Sequence, residues 1–208
     1  MDVSTIIATI KSQALVGNTG AVDDNDRILR YLNMGYYLVY ARIAQIYPSY
    51  FEKYYVMQIT DGVGLYPFPV YKLISVTGDN GQQLRPRSSS CLERGDTDLD
   101  QTGVPTSYEE IMNGITVYPR ATILVRLRYA PTPVPLTADT TEINIQIPVM
   151  YHEVLVWAAL WSMAYDERDK LVGSELQFTQ AAYESRLESL LMYIQNLKPA
   201  KSRRVKSW

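Results

Sequence analysis

The segment Val154–Tyr165 constrains the fold more than any other part of the chain. Its residues, V-L-V-W-A-A-L-W-S-M-A-Y, are interrupted only by Ser162, so apolar side chains cover nearly the whole circumference of a helix. A helix that is apolar all round has to be buried among other elements. Pro148 suits the first turn of such a helix, where a missing N–H is no loss. We therefore expect a buried central helix from Pro148 to about Tyr165.

Three further segments have helical periodicity and would supply the partners of this central helix. Polar or acidic N-cap candidates precede the second segment, and Pro48 follows it. The third begins with capping-box spacing and continues with apolar steps of four and three. The predicted helices are Asp2–Ala14, a helix capped by Asp23, Asp24 or Asn25 that reaches about Ile46, and Ser174–Leu197.

Between these helices the chain changes to short runs that are typical of β-strands. Asp61-Gly62 and Asn113-Gly114 are turn signals, and the second is the strongest hairpin signal in the chain. Ser88–Thr106 is polar and predicts a loop, and the prolines at 131, 133 and 135 predict an extended connector. The predicted strands are Tyr54–Thr60, Leu73–Thr77, Leu84–Arg87, Tyr108–Met112, Ile115–Tyr118 and Thr122–Tyr129.

Taken together, these elements predict an α+β protein that is mainly an α-helical bundle with an inserted antiparallel β region and an extended C-terminal arm. The bundle would combine residues 1–50 and 148–197. The strand-rich insertion with its long polar loop would occupy residues 51–147, and the basic arm would occupy residues 198–208.

Charge is distributed unevenly along the chain. The net charge is −2, but five basic residues and no acidic ones lie in the last eleven positions. Without these five, 15 basic residues face 22 acidic ones, a net charge of about −7 for the rest of the chain. The C-terminal segment could contact DNA phosphates, with a tryptophan stacking on bases, it could dock on a protein partner, or it could be a plain disordered terminus. We favour protein docking through Lys198, Lys201, Arg203, Arg204, Lys206 and Trp208.

The sequence offers few groups for catalysis or metal binding. His152 is the sole histidine and Cys91 the sole cysteine, which excludes an internal disulfide and a zinc site of the usual type. We therefore expect His152 to be a structural residue near the start of the central helix. Asp96, Asp98 and Asp100 alternate like calcium ligands, but Gln101 stands where a calcium loop needs glycine. A solvated loop is the favoured interpretation, and a weak cation site remains the alternative. We predict no enzyme activity, no catalytic residues, no metal and no cofactor.

Two compositional features bear on partners. Tyrosine occurs 17 times against three phenylalanines, which suits either a tyrosine-rich core or surfaces that a partner covers. No apolar run approaches the roughly 20 residues that span a bilayer, and residues 1–14 lack the core of a signal peptide. We expect no membrane partner.

A succession of short motifs resembles the head–tail connector proteins, or adaptors, of tailed bacteriophages. Each motif is weak alone, and their order along residues 24–197 gives the resemblance its weight. The motifs are Arg27–Ala41, Gly64–Pro69 followed by Leu73–Val76, G-x-P-x-x-Y at 103–108, V-Y-P at 117–119, L-R-Y at 127–129 and I-P-x-x-Y at 147–151.

This resemblance implies a structural virion protein at the head–tail interface, assembled in the host cytoplasm. It implies a homo-oligomeric ring, generally a dodecamer, that lies beneath the portal, links it to the tail and lines the DNA exit channel. The implied partners are further copies of the chain, the portal protein, tail or nozzle proteins and the genomic DNA in the lumen. A small nucleic-acid-binding module that uses the basic C-terminal segment is the alternative function.

Overall fold

The computed structural model describes residues 1–14, 24–92, 100–166 and 173–197. Its helices are α1 (Val3–Ala14), α2 (Asn25–Ile46), the short α3 (Ser89–Leu92), α4 (Glu153–Asp166) and α5 (Gly173–Leu197). Its strands are β1 (Lys53–Ile59), β2 (Val63–Leu65), β3 (Val70–Gly78), β4 (Arg85–Pro86), β5 (Ser107–Ile111), β6 (Gly114–Tyr118) and β7 (Ile123–Pro131). The chain divides into two compact units, a helical one of residues 1–47 and 133–208 and a β-rich one of Pro48–Thr132.

The helical unit is organised around α4, as the apolar circumference of this segment predicts. Helices α1, α2 and α5 all contact α4, and its buried side chains point in every direction. Pro148 precedes a short 3₁₀ turn at Val149–Tyr151, and the α-helix itself begins at Glu153. No described helix is long and apolar enough to cross a membrane.

Helix α2 begins where its capping signal predicts. The carboxylate of Asp24 accepts hydrogen bonds from the backbone N–H groups of Asp26 and Arg27, at 3.0 and 3.3 Å. These bonds satisfy two of the donors that a helix leaves free at its first turn. One side of α2 packs on α4, and at Gly35 an added Cβ atom would lie only 2.8 Å from Ala158 and Ala159 of α4.

The β-rich unit consists of two sheets that share one core. Strands β1, β7 and β3 form an antiparallel sheet in that spatial order, which we call sheet A. Strands β2, β6, β5 and β4 form sheet B, in which only β4 and β5 are parallel. Side chains from both sheets make a single buried cluster, which includes Met57, Leu127, Ile115 and Val117.

The two turn signals have different outcomes. Asp61 and Gly62 both have positive φ, at 50° and 79°, and connect the bridged residues Thr60 and Val63, as predicted. At the second signal the turn residues are Met112 and Asn113, because Ile111 already pairs with Gly114. Gly114 belongs to β6, where a Cβ atom would lie 2.1 Å from the carbonyl oxygen of Gly64 in the neighbouring β2.

The predicted architecture, mainly a helical bundle with an inserted β region, is wrong. The protein is 48% helix and 26% strand, with two sheets, and its class is α+β. The strands are short, but β1 pairs with β7 across a long stretch of sequence and the two sheets bury a cluster of their own. A region with its own core is a structural unit in its own right.

We predict that Gly35→Ala destabilises the protein although alanine is the better helix former. The new methyl group would lie 2.8 Å from the Cβ of Ala158 and the backbone nitrogen of Ala159. Overpacking typically costs about 1–3 kcal/mol, which exceeds the gain of about 1 kcal/mol from helix propensity. Urea unfolding should therefore show a lower free energy of unfolding, whereas Gln45→Ala on the exposed side of α2 should change it by less than about 0.5 kcal/mol. A stabilised Gly35→Ala variant would contradict the close packing.

Candidate assembly surfaces

The residues singled out for metal binding do not form a site. Among the described residues, no group of three histidine, cysteine, aspartate or glutamate side chains could hold a metal ion. Asp96 and Asp98 lie outside the described residues. Asp100 forms an ion pair with Arg120, with a nitrogen–oxygen distance of 3.0 Å. The thiol of Cys91 is free and exposed.

His152 is a buried structural residue, as expected from its position. It has no exposed surface, and its two ring nitrogens face backbone carbonyl oxygens. The distances are 2.8 Å from Nδ1 to the oxygen of Met1 and 2.9 Å from Nε2 to the oxygen of Ile147. The imidazole thus connects the start of the chain to the segment that leads into α4.

We predict that His152→Phe is destabilising even though phenylalanine keeps a ring in the same place. The substitution leaves the carbonyl oxygens of Met1 and Ile147 without the imidazole as a partner. An unsatisfied buried polar group costs about 1–3 kcal/mol. Thermal and urea unfolding would measure the loss, and unchanged stability in His152→Phe would show that packing alone holds this site together.

The docking residues predicted at the C-terminus all lie outside the described residues. They are Lys198, Lys201, Arg203, Arg204, Lys206 and Trp208. Their role in docking therefore stays a prediction.

Helix α2 presents exposed apolar residues beside its buried face. Met34, Tyr37 and Leu38 are exposed there, and positions 34 and 38 are one helical turn apart. Tyr37 is anchored at its tip, since its hydroxyl donates to the carbonyl oxygen of Pro133 at 3.5 Å. Exposed arginines, Arg30 and Arg42, lie on either side of these residues along the helix. The face is therefore apolar in its middle and basic at its two ends.

Helix α5 has a second face that is largely exposed. Tyr183, Leu187, Leu190 and Ile194 are buried along its inner side, which packs on α4. The opposite side carries exposed Met192 and the small residues Ala181 and Ser185, with the carboxylates of Glu184 and Glu188 nearby. Exposed Phe178 lies at the edge of this side, where its ring packs edge-on against Trp157 of α4 with 5.8 Å between the ring centres. This outer face is acidic, whereas the outer face of α2 is basic.

A cluster of three side chains holds α5 against α4. Arg186 of α5 donates from Nε to Glu153 of α4 at 2.9 Å, and its guanidinium lies 4.7 Å from the centre of the Trp157 ring. The indole N–H of Trp157 donates to the same carboxylate at 3.2 Å. The hydrogen bond from Arg186 is the main cause that lowers the pKa of Glu153, and the bond from Trp157 adds to it.

Sheet A has an exposed mixed face of its own in the β-rich unit. Tyr54 and Val56 of β1 and Leu124 of β7 are exposed there. Arg126 lies directly across from Val56, and it makes no ion pair with any described residue. Neighbouring Arg128 differs, because it binds Glu52 through two nitrogens at 2.9 and 2.6 Å.

These outer faces were not predicted from the sequence, although a signal for them exists. One apolar stripe of α2, at helical spacing, runs through positions such as Ile28, Leu32, Gly35 and Val39, which are buried in the structure. Met34 and Leu38 lie off that stripe, so the helix has more apolar residues than one buried face requires. Such an excess on an otherwise amphipathic helix indicates a second contact surface.

We predict that the Glu153–Arg186 pair stabilises the protein at neutral pH and not in acid. A carboxyl group with a lowered pKa in the folded protein stabilises the fold above its unfolded pKa, about 4.3 for glutamate, and this contribution is lost as the pH falls through the folded pKa. Glu153→Gln should therefore lower the free energy of unfolding at pH 7, by less than about 1 kcal/mol since the pair is partly exposed. The difference from the parent should shrink as the pH falls below the unfolded pKa and close once the pH is below the lowered folded pKa.

Unfolding by urea at a series of pH values, followed by tryptophan fluorescence, measures this difference. The matched control is Glu188→Gln on the neighbouring helix α5, because Glu188 makes no ion pair with a described residue. Equal behaviour of the two variants at every pH would contradict a specific role for Glu153.

A comparison with protein-family models gives a match over nearly the whole chain. The model of the SU10 adaptor protein family matches residues 1–205. No curated protein matches the chain. The matched range covers both compact units, including the two helical faces and the exposed face of sheet A. The chain therefore belongs to the SU10 adaptor protein family, a family of phage head–tail adaptors.

Proposed function

We propose that this protein forms a ring beneath the portal of a tailed bacteriophage, joins the portal to the tail and lines the channel through which DNA leaves the head. The observation that carries the proposal is the family match over residues 1–205. An adaptor acts as a structural part, so it needs surfaces that stay exposed until its neighbours arrive. The outer faces of α2 and α5 have this property.

The charge of the helical unit supports a place next to DNA. Its described residues include ten acidic and five basic side chains. A negative lining repels phosphates, which lets a duplex slide past, whereas a basic lining would bind it. The helical unit would form the wall of the ring, and the β-rich unit would meet tail or nozzle proteins.

The C-terminal segment 198–208 is the part of the chain that we expect to dock on the portal. Its cations can pair with acidic side chains, and Trp208 can serve as the buried aromatic anchor that often dominates a small interface. Assembly would take place in the host cytoplasm, where new heads receive their connectors.

We predict that deletion of residues 198–208 leaves a folded protein that no longer attaches to filled heads. The described helices and strands all lie before this segment, so we expect the circular dichroism spectrum and the unfolding midpoint to stay as in the parent. Filled heads incubated with each protein would be separated on a gradient and imaged by electron microscopy. The parent should appear as a ring at the portal vertex, and the truncated protein should be absent from that vertex.

Two matched variants would distinguish the contributions within this segment. Trp208→Ala tests the aromatic anchor, and a variant with the five cations replaced by glutamine tests the charge. Normal attachment by the truncated protein would exclude the docking role. Salt-dependent binding of duplex DNA by the isolated subunit, lost with the same five cations, would instead favour a nucleic-acid-binding module.

A further inference from the structure

The outer faces of α2 and α5 each expose large apolar side chains on a long helix of the helical unit. Met34 and Leu38 of α2 are 52% and 41% exposed, and Phe178 and Met192 of α5 are 65% and 54% exposed. Both helices already bury their other side on α4. Exposed apolar side chains grouped in this way mark protein interaction sites.

The two faces are complementary in the size of their side chains. On α2 the large residues Met34 and Leu38 are four positions apart, which places them about 6 Å apart along the helix. On α5 the small residues Ala181 and Ser185 are also four positions apart and leave space between Phe178 and Met192. Large side chains of one helix pack well into such spaces on another.

The two faces are also complementary in charge. Arg30 makes no ion pair with a described residue, and Arg42 is hydrogen bonded only to Gln45 in the described contacts. On α5, Glu188 makes no ion pair with a described residue either, and Glu184 accepts only from Gln180 there. These charges are therefore available to a partner of opposite sign.

We propose that the outer face of α2 in one copy packs against the outer face of α5 in the next copy, and that this contact builds the ring. The inference rests on the ring-forming function proposed above and names the surface that such a ring would use. Packing α2 on a second α2 would place arginines against arginines, and α5 on α5 would place glutamates against glutamates. Like charges in an interface are unfavourable, so the head-to-tail pairing is preferred. Pairing of two different surfaces is the type of contact that closes a ring.

Cysteine cross-linking tests the pairing directly. In a Cys91→Ser background, Leu38→Cys and Ser185→Cys would be prepared separately and mixed over a range of concentrations with a short bis-maleimide. We expect cross-linked dimers in the mixture and none with either variant alone. Self-cross-linking of Leu38→Cys would show an α2–α2 contact and overturn the proposal, as would the absence of a product in the mixture at every concentration.

Charge reversal supplies a second test with its own control. Arg30→Glu with Arg42→Glu, or Glu184→Lys with Glu188→Lys, should each weaken self-association about tenfold or more, as measured by sedimentation or native mass spectrometry. The fourfold variant that combines both pairs should recover it, because every copy then carries both reversed faces. Circular dichroism would verify that all variants fold. Failure of the fourfold variant to associate would overturn the role of these charges.

The outcomes separate this inference from the adaptor function. Rings at the portal vertex without a 38–185 cross-link would leave the adaptor function intact and refute this interface, assigning the two faces to another virion protein. The cross-link in open chains of subunits that never attach to heads would support the interface and refute the adaptor function.

Discussion

The burial of α4 is the constraint on which the helical unit depends. Because this helix is apolar on all sides, it has to be covered from several directions, and α1, α2 and α5 provide that cover. At Gly35 the cover is so close that even a methyl group has no room. Each of these three helices buries one side against α4, and this determines which of its sides stays exposed. The exposed faces of α2 and α5 are thus a geometric consequence of how α4 is buried.

In the β-rich unit, close contacts at glycine residues determine how neighbouring strands pack. Gly114 in β6 tolerates the carbonyl oxygen of Gly64 at a distance that excludes any side chain, and Gly64 itself lies against Ile59 and Met57. These contacts hold β2 on β6 and against the shared core. With an internal core, the outer face of sheet A is free to carry exposed residues such as Tyr54 and Leu124.

Features that depend on a few neighbouring residues could be predicted from the sequence. Features that depend on the pairing of strands far apart in the sequence could not. Asp24 caps α2, and the apolar segment around Leu155 and Leu160 forms the buried helix, because a few neighbouring residues decide both features. The β-rich region was wrongly predicted to be an insertion in a helical bundle, since its two sheets and their shared core depend on which distant strands pair. The Asn113-Gly114 signal was displaced by one residue because the approach of Gly64 keeps Gly114 within the strand. The outer faces of α2 and α5 become visible only after the buried faces are known.

Tyrosine side chains occur both in the buried core and on the exposed surface of this protein. Tyr36 and Tyr40 are buried, and burial raises the pKa of Tyr36 to about 12, so that its hydroxyl stays a neutral donor near Gln146. Tyr54 and Tyr71 are exposed. An exposed tyrosine keeps its hydroxyl in water and still offers a ring for burial, which an exposed phenylalanine does at greater risk of aggregation. Tyrosines thus lie both in the core and on the surface, and their burial by a partner stays a prediction.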